Sequence, residues 1–133
     1  MRFAFELLPG AGADIARPAL EVSVVGPHAN VGVLGLLDTG AVHNRVGAWV
    51  AGLAGIDLDG VAVERIALAG VVVEARMVTC QLVLGDFTWE APVSFCDPWP
   101  FDFQVFGHLG FFRWFRVVID AADEMLEVIP NQA

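Results

Sequence analysis

The sequence predicts an all-β domain with one or two short helices, and three observations predict it. Apolar runs are short and are broken by Gly, Pro or Asp at intervals of roughly ten residues, the rhythm of many strands joined by turns. Between residues 77 and 84, Val78, Cys80, Leu82 and Leu84 alternate with Met77, Thr79, Gln81 and Val83, a period of two that puts the two sets on opposite faces of a sheet. Helical spacing is confined to short stretches. With 133 residues the chain fits one domain, 1–133, large enough to bury a core without disulfides or a structural metal.

Strands are expected at Phe3–Leu7, Ala19–Val25 and Val31–Leu37. A short helix follows over Arg45–Leu53, where Val46, Trp49, Val50 and Leu53 recur at helical spacing and Gly55 ends it. From Val61 to Phe95 the chain reads as long strands with two reversals. Ala69-Gly70 joins "VERIAL" to "VVVEARM", and Gly85-Asp86 joins the alternating strand to "FTWEAPVSF", Gly at the first central position suiting a tight hairpin. Residues 97–102, "DPWPFD", form a loop, because each Pro removes a ladder donor. "FQVFG" returns as a strand, "HLGFFRWF" reads as helical, and "RVVID" with "MLEVIP" make a closing hairpin. The aromatic run from Trp99 to Phe115 is expected to serve core and dimer packing.

Composition excludes several function classes. The apolar fraction is 56%, yet a charged residue interrupts every segment before the ~18 apolar residues a membrane span needs. Glu6 and then Pro9-Gly10 interrupt what would be the apolar part of an export signal, so a cytoplasmic protein is expected. Seven Lys and Arg against sixteen Asp and Glu, a net charge of −9, argue against nucleic acid and anionic lipid as partners. That charge serves solubility, while part of the apolar load is available to face a partner subunit. Cys80 and Cys96 lack metal or redox spacing and are expected as reduced, half-buried thiols. His28, His43 and His108 match no metal spacing, so neither a metal nor another cofactor is expected.

One stretch stands apart. "VGVLGLL" runs directly into Asp38-Thr39-Gly40-Ala41, carrying a carboxylate out of an apolar strand, where desolvation is unfavourable unless the group is paired, hydrogen-bonded or protonated. A local Asx-type turn bond is one ordinary use of such an Asp. Asp120, Asp123, Asp97 and Asp102 have that plainer reading, as turn and loop residues.

The order of features around Asp38 adds more. An apolar strand enters "DTGA", a helix and a strand–Gly–strand hairpin follow, and a second apolar pair with Gly, Val105-Phe106-Gly107, leads into a helix and terminal strands. From about Pro18 to Val128 this succession resembles the retropepsin-like aspartic proteases, the retroviral protease superfamily and its bacterial relatives. The resemblance implies a retropepsin-like acid protease β-barrel, one lobe per chain, working as a homodimer on a peptide or protein substrate. Hydrolysis in that chemistry needs two carboxylates sharing a proton, and this chain has one Asp-Thr-Gly, so a two-fold axis would supply the second Asp38. By the same resemblance, Thr39 would hydrogen-bond across the axis and Gly40 would turn the loop, with the N–H groups of Gly40 and Ala41 available to the carboxylate. Val105, Phe106 and Gly107 would brace that loop. The hairpin tip at Ala69, Gly70 and Val71 would cover substrate together with Ala41.

Two departures from the family pattern bear on activity. Val42 stands where many relatives carry Ser or Asp, and the hairpin reads "LAGVVV" without paired glycines. A non-catalytic member of the fold, dimerising and binding a peptide or protein, is the alternative to an endopeptidase. Cleavage that depends on Asp38 separates the two.

Overall fold

A computed structural model describes residues 1–10 and 15–131. Among these residues the chain runs through β1 (Arg2–Ala4), β2 (Ala19–Val25), β3 (Asn30–Leu37), β4 (Asn44–Gly47), α1 (Ala48–Ala54), β5 (Val63–Leu68), β6 (Val71–Leu84), β7 (Phe87–Asp97) and β8 (Gln104–Phe106). A π-helical turn (His108–Phe112), β9 (Phe115–Asp120) and β10 (Met125–Pro130) complete it. Six strands close on themselves in the order β2-β3-β8-β4-β7-β6, because β6 returns to pair with β2. This closed mixed barrel, with two short helical segments, is the class the sequence predicts. β5 hangs from β6 as the outer strand of a hairpin, and β1, β10 and β9 form a separate antiparallel sheet.

Alternating burial builds the barrel. In β2, Leu20, Val22 and Val24 are buried while Glu21 is exposed, and in β6 Cys80, Leu82 and Leu84 are buried while Thr79 and Gln81 face solvent. An aromatic group closes one end: Trp89 meets Phe115 edge-on at 4.9 Å, and Phe111 lies 4.7 Å from Phe115. The Trp89 indole N–H donates to the Gly110 carbonyl at 2.9 Å, so its polar edge is satisfied inside the core. A smaller apolar cluster, Val73, Ala75 and Cys96 with Ile66, Leu68 and Trp99 packed against it, anchors the base of the β5–β6 hairpin. Both thiols are free and buried rather than half-buried.

Turn chemistry sets the hairpins. Gly85 takes φ +56° at the β6–β7 reversal, and at the β5–β6 tip Ala69 (φ +49°) and Gly70 (φ +77°) are both left-handed, as a type I′ turn requires. α1 ends at Gly55 with φ +79°.

Three expectations are corrected. Arg45–Gly47 is strand, not helix: β4 lies between β7 and β8, whose backbone groups pair with it on both sides, and this pairing overrides the helical spacing of Val46. Helix begins only at Ala48, and of the residues at helical spacing Val50 is buried while Trp49 and Leu53 are exposed. The first strand stops at Ala4 rather than Leu7: Ala4 pairs with Met125, Phe5 N–H makes one last bond to the Glu124 carbonyl at 2.8 Å in the β9–β10 turn, and Glu6 turns away to a lone bridge with Arg17. Near the end, helical geometry covers only His108–Phe112, and Phe115 already opens β9.

Candidate active site

β3 and β8 run parallel, with Leu36 beside Val105 and Leu37 beside Phe106. This pairing holds the strand that delivers Asp38 against the strand that ends in Gly107. The Asp38 N–H donates to the Phe106 carbonyl at 3.0 Å, extending the ladder one residue past β3. The chain then turns. Gly40 N–H donates to Asp38 Oδ1 at 2.8 Å, whereas Ala41 N–H donates at 3.1 Å to the main-chain carbonyl of Asp38 and not to its carboxylate. One carboxylate oxygen therefore has a backbone donor, and the half-buried side chain keeps the other available. The Asx bond alone is what any turn Asp makes; the bracing behind it is what sets this turn apart.

That bracing comes from Gly107 onward. A Cβ at Gly107 would lie 2.5 Å from the Ala41 carbonyl oxygen and 2.7 Å from that of His43, so only glycine lets the two segments approach. His108 and Leu109 donate backbone N–H groups to the Ala41 and Val42 carbonyls, both at 2.9 Å. The His108 ring donates from Nε2 to the Thr39 carbonyl. Asn44 Oδ1 accepts from Gly107 N–H at 3.0 Å. The Phe106 ring packs over Gly35, where a Cβ would come within 2.2 Å of it. Thr39 and Gly40 are exposed at the tip of this braced turn.

A cleft of about 470 Å³ opens beside Asp38, lined by Leu36, Gly40, Ala41, Val42, Arg45, Leu68, Trp99, Phe101, Phe103 and Val105. Of the hairpin, Leu68 is the residue that reaches it, while Ala69, Gly70 and Val71 are exposed at the tip. The Pro-rich loop supplies one wall. Trp99 meets Phe101 edge-on at 5.4 Å, Phe101 stacks on Phe103 at 5.2 Å, and Trp99 Nε1 donates to the Phe103 carbonyl at 3.0 Å, so the wall is set before any ligand arrives. A comparable groove of about 500 Å³ lies between the first residues and β2, but no group there has the surroundings of Asp38.

Sequence reading missed Arg45, Leu68, Trp99, Phe101 and Phe103 as cleft residues. Arg45 was hidden by its placement in a helix, and aromatic residues in a Pro-rich loop have no periodicity to say which way they face. Among the described residues, no group of three or more His, Cys, Asp or Glu side chains is placed to hold a metal ion. No helix among them is long and apolar enough to cross a membrane.

No protein-family model matches the chain, and no curated protein matches it. Among solved structures, it is similar to the crystal structure of a retropepsin-like aspartic protease from Rickettsia conorii, with a TM-score of 0.61 and 18% identity over 95% of this chain and 88% of that one. The fold is retropepsin-like.

Proposed function

On this retropepsin-like fold, we propose that the chain is one half of a homodimeric aspartic endopeptidase whose active site forms where two Asp38 turns meet. The observation that carries the reading is the placement of one half-buried carboxylate, on a turn braced by Gly107, at the mouth of an apolar cleft. A single carboxylate is half of the acid–base pair that peptide hydrolysis needs. Two of them within ~3 Å share one proton and titrate as a unit.

The chemistry then balances within the pair. The ionised carboxylate takes a proton from water as the water oxygen bonds to the scissile carbonyl carbon. The protonated carboxylate donates to the carbonyl oxygen. As the tetrahedral intermediate collapses, the C–N bond breaks and the departing amine takes a proton from the pair. Thr39, at the exposed tip, joins the two turns, and Gly40 leaves room for water and substrate. The β5–β6 hairpin, Ala69, Gly70 and Val71 at its tip, closes over the peptide. β5 pairs only with β6 among the described residues, so its outer backbone groups are open to an extended chain. Leu68 and the Trp99–Phe103 wall take apolar side chains.

Purified protein is expected to cleave an unstructured protein substrate with a bell-shaped profile on the acidic side, and Asp38→Asn to abolish cleavage while leaving the fold intact. Val42, 56% exposed where a polar residue would orient a substrate backbone, favours a second reading, a non-catalytic peptide-binding dimer. In that case no turnover occurs at any pH, and Asp38→Asn leaves peptide affinity unchanged.

A further inference from the structure

The cleft beside Asp38 is walled by apolar side chains, with one cation set among them. Arg45 lies mid-strand in β4, paired with Ser94 of β7 on one side and Val105 of β8 on the other, so its backbone is held from both edges. Its neighbours Asn44 and Val46 point into the core, and alternation sends Arg45 to the cleft side. There one guanidinium nitrogen, Nη1, donates to Ser94 Oγ at 2.9 Å, and Ser94 is itself buried. That single bond fixes the head group and leaves the rest of its fork of donors unclaimed by any side chain among the described residues. Among the described residues no carboxylate lies within ion-pair distance of it; the ion pair there is Arg76 with Glu74.

A half-buried cation without a counter-ion is unfavourable, and a chain with only seven Lys and Arg has placed one of them here. We propose that Arg45 is a specificity-determining residue: it forms, with the aromatic wall of Trp99, Phe101 and Phe103, a subsite for an acidic side chain, Asp or Glu, of the bound peptide. This rests on the peptide-cleft reading above and names the substrate class it selects. The planar guanidinium accepts a carboxylate through two parallel N–H···O bonds, and the aromatic surroundings exclude water that would weaken them. An amide in the same place offers one acceptor and no charge.

The test uses the full-length protein and a set of peptides, amidated at the C-terminus so that the only carboxylates are side chains, carrying Glu, Gln or Leu at each position in turn. At one position wild type is expected to prefer Glu over Gln by about tenfold or more in kcat/KM, the worth of a charge-assisted pair. The preference fades below about pH 4, as the Glu side chain protonates. Arg45→Met brings the ratio to about one, and Arg45→Glu, assayed with an added Lys peptide of the same series, turns the preference toward Lys. If Arg45→Met does not fold by circular dichroism, Arg45→Lys, which keeps the charge and loses the fork, should reduce the ratio. A Glu preference that survives Arg45→Met overturns the inference. So does a wild type without any Glu preference whose pH profile shifts equally for all peptides in the variant, since Arg45 would then act on Asp38 and not on substrate. If wild type cleaves nothing at any pH, the protease reading fails separately, and fluorescence anisotropy with the same peptides decides: an Arg45-dependent Glu preference in binding upholds the subsite, and equal affinities overturn it.

Discussion

The side-chain oxygen of Asn44 accepts a 3.0 Å hydrogen bond from the backbone N–H of Gly107, joining β4 to the residue that follows β8 directly behind the Asp38 turn. Both groups are buried, and a Cβ at Gly110 would come within 2.2 Å of the Asn44 amide, so the side chain packs directly against Gly110. The braced turn thus depends on a polar contact inside an otherwise apolar region.

Asn44→Ala is expected to leave Gly107 N–H buried without a partner and to destabilise the fold by about 2 kcal/mol. Urea unfolding checks this through a lower midpoint at unchanged slope. Cleavage should fall further than the loss of folded protein explains, because the turn carrying Asp38 loses its support.

At the hairpin tip, Ala69 has φ +49°, a left-handed conformation that a residue with a plain Cβ adopts at a cost of about 1 kcal/mol or more. Ala69→Asn creates the Asn-Gly pair that type I′ turns favour and is expected to stabilise the protein by about 0.5 kcal/mol. Thermal unfolding should show a modest rise in Tm. The tip should also become more resistant to proteolytic nicking.

Burial pushes the Cys80 thiol up from 9.0 to about 11. In the unfolded chain the thiol ionises first, so the folded state loses relative stability as pH rises from about 9 to about 11, and the group has no influence at neutral pH. Denaturant midpoints measured at pH 8 and pH 10 should fall more for wild type than for Cys80→Val. Equal falls would mean that other groups govern the alkaline loss.

Much of the barrel was legible because its strands alternate. β2 keeps the bounds Ala19–Val25 expected of it, since a slip by one residue would turn Leu20, Val22 and Val24 outward. Both hairpin reversals were marked by glycine. β4 was not legible: Val46, Trp49, Val50 and Leu53 share a helical period, and only the two strands flanking Asn44–Gly47 reveal that the first part of the run is extended. That misreading also concealed Arg45. The cleft wall was hidden for a different reason, because the inward packing of Trp99, Phe101 and Phe103 depends on how the Pro-rich loop folds back, and local sequence does not encode its direction. Asp38, Thr39 and Gly40 stood out as a motif, whereas the partners that hold their turn, Asn44 and His108, come together only in three dimensions.

The central claim is that each catalytic centre needs the Asp38 of two chains, and subunit mixing tests it most directly. Wild type and Asp38→Asn chains are unfolded together, refolded at fixed total concentration, and assayed for cleavage as the wild-type fraction is varied. If both carboxylates are needed, activity falls as the square of that fraction, to about a quarter when half the chains are wild type. Activity of about three quarters at that point would mean that one Asp38 per dimer suffices, and a fall in simple proportion, to about half, that each chain works alone; either would contradict the shared site.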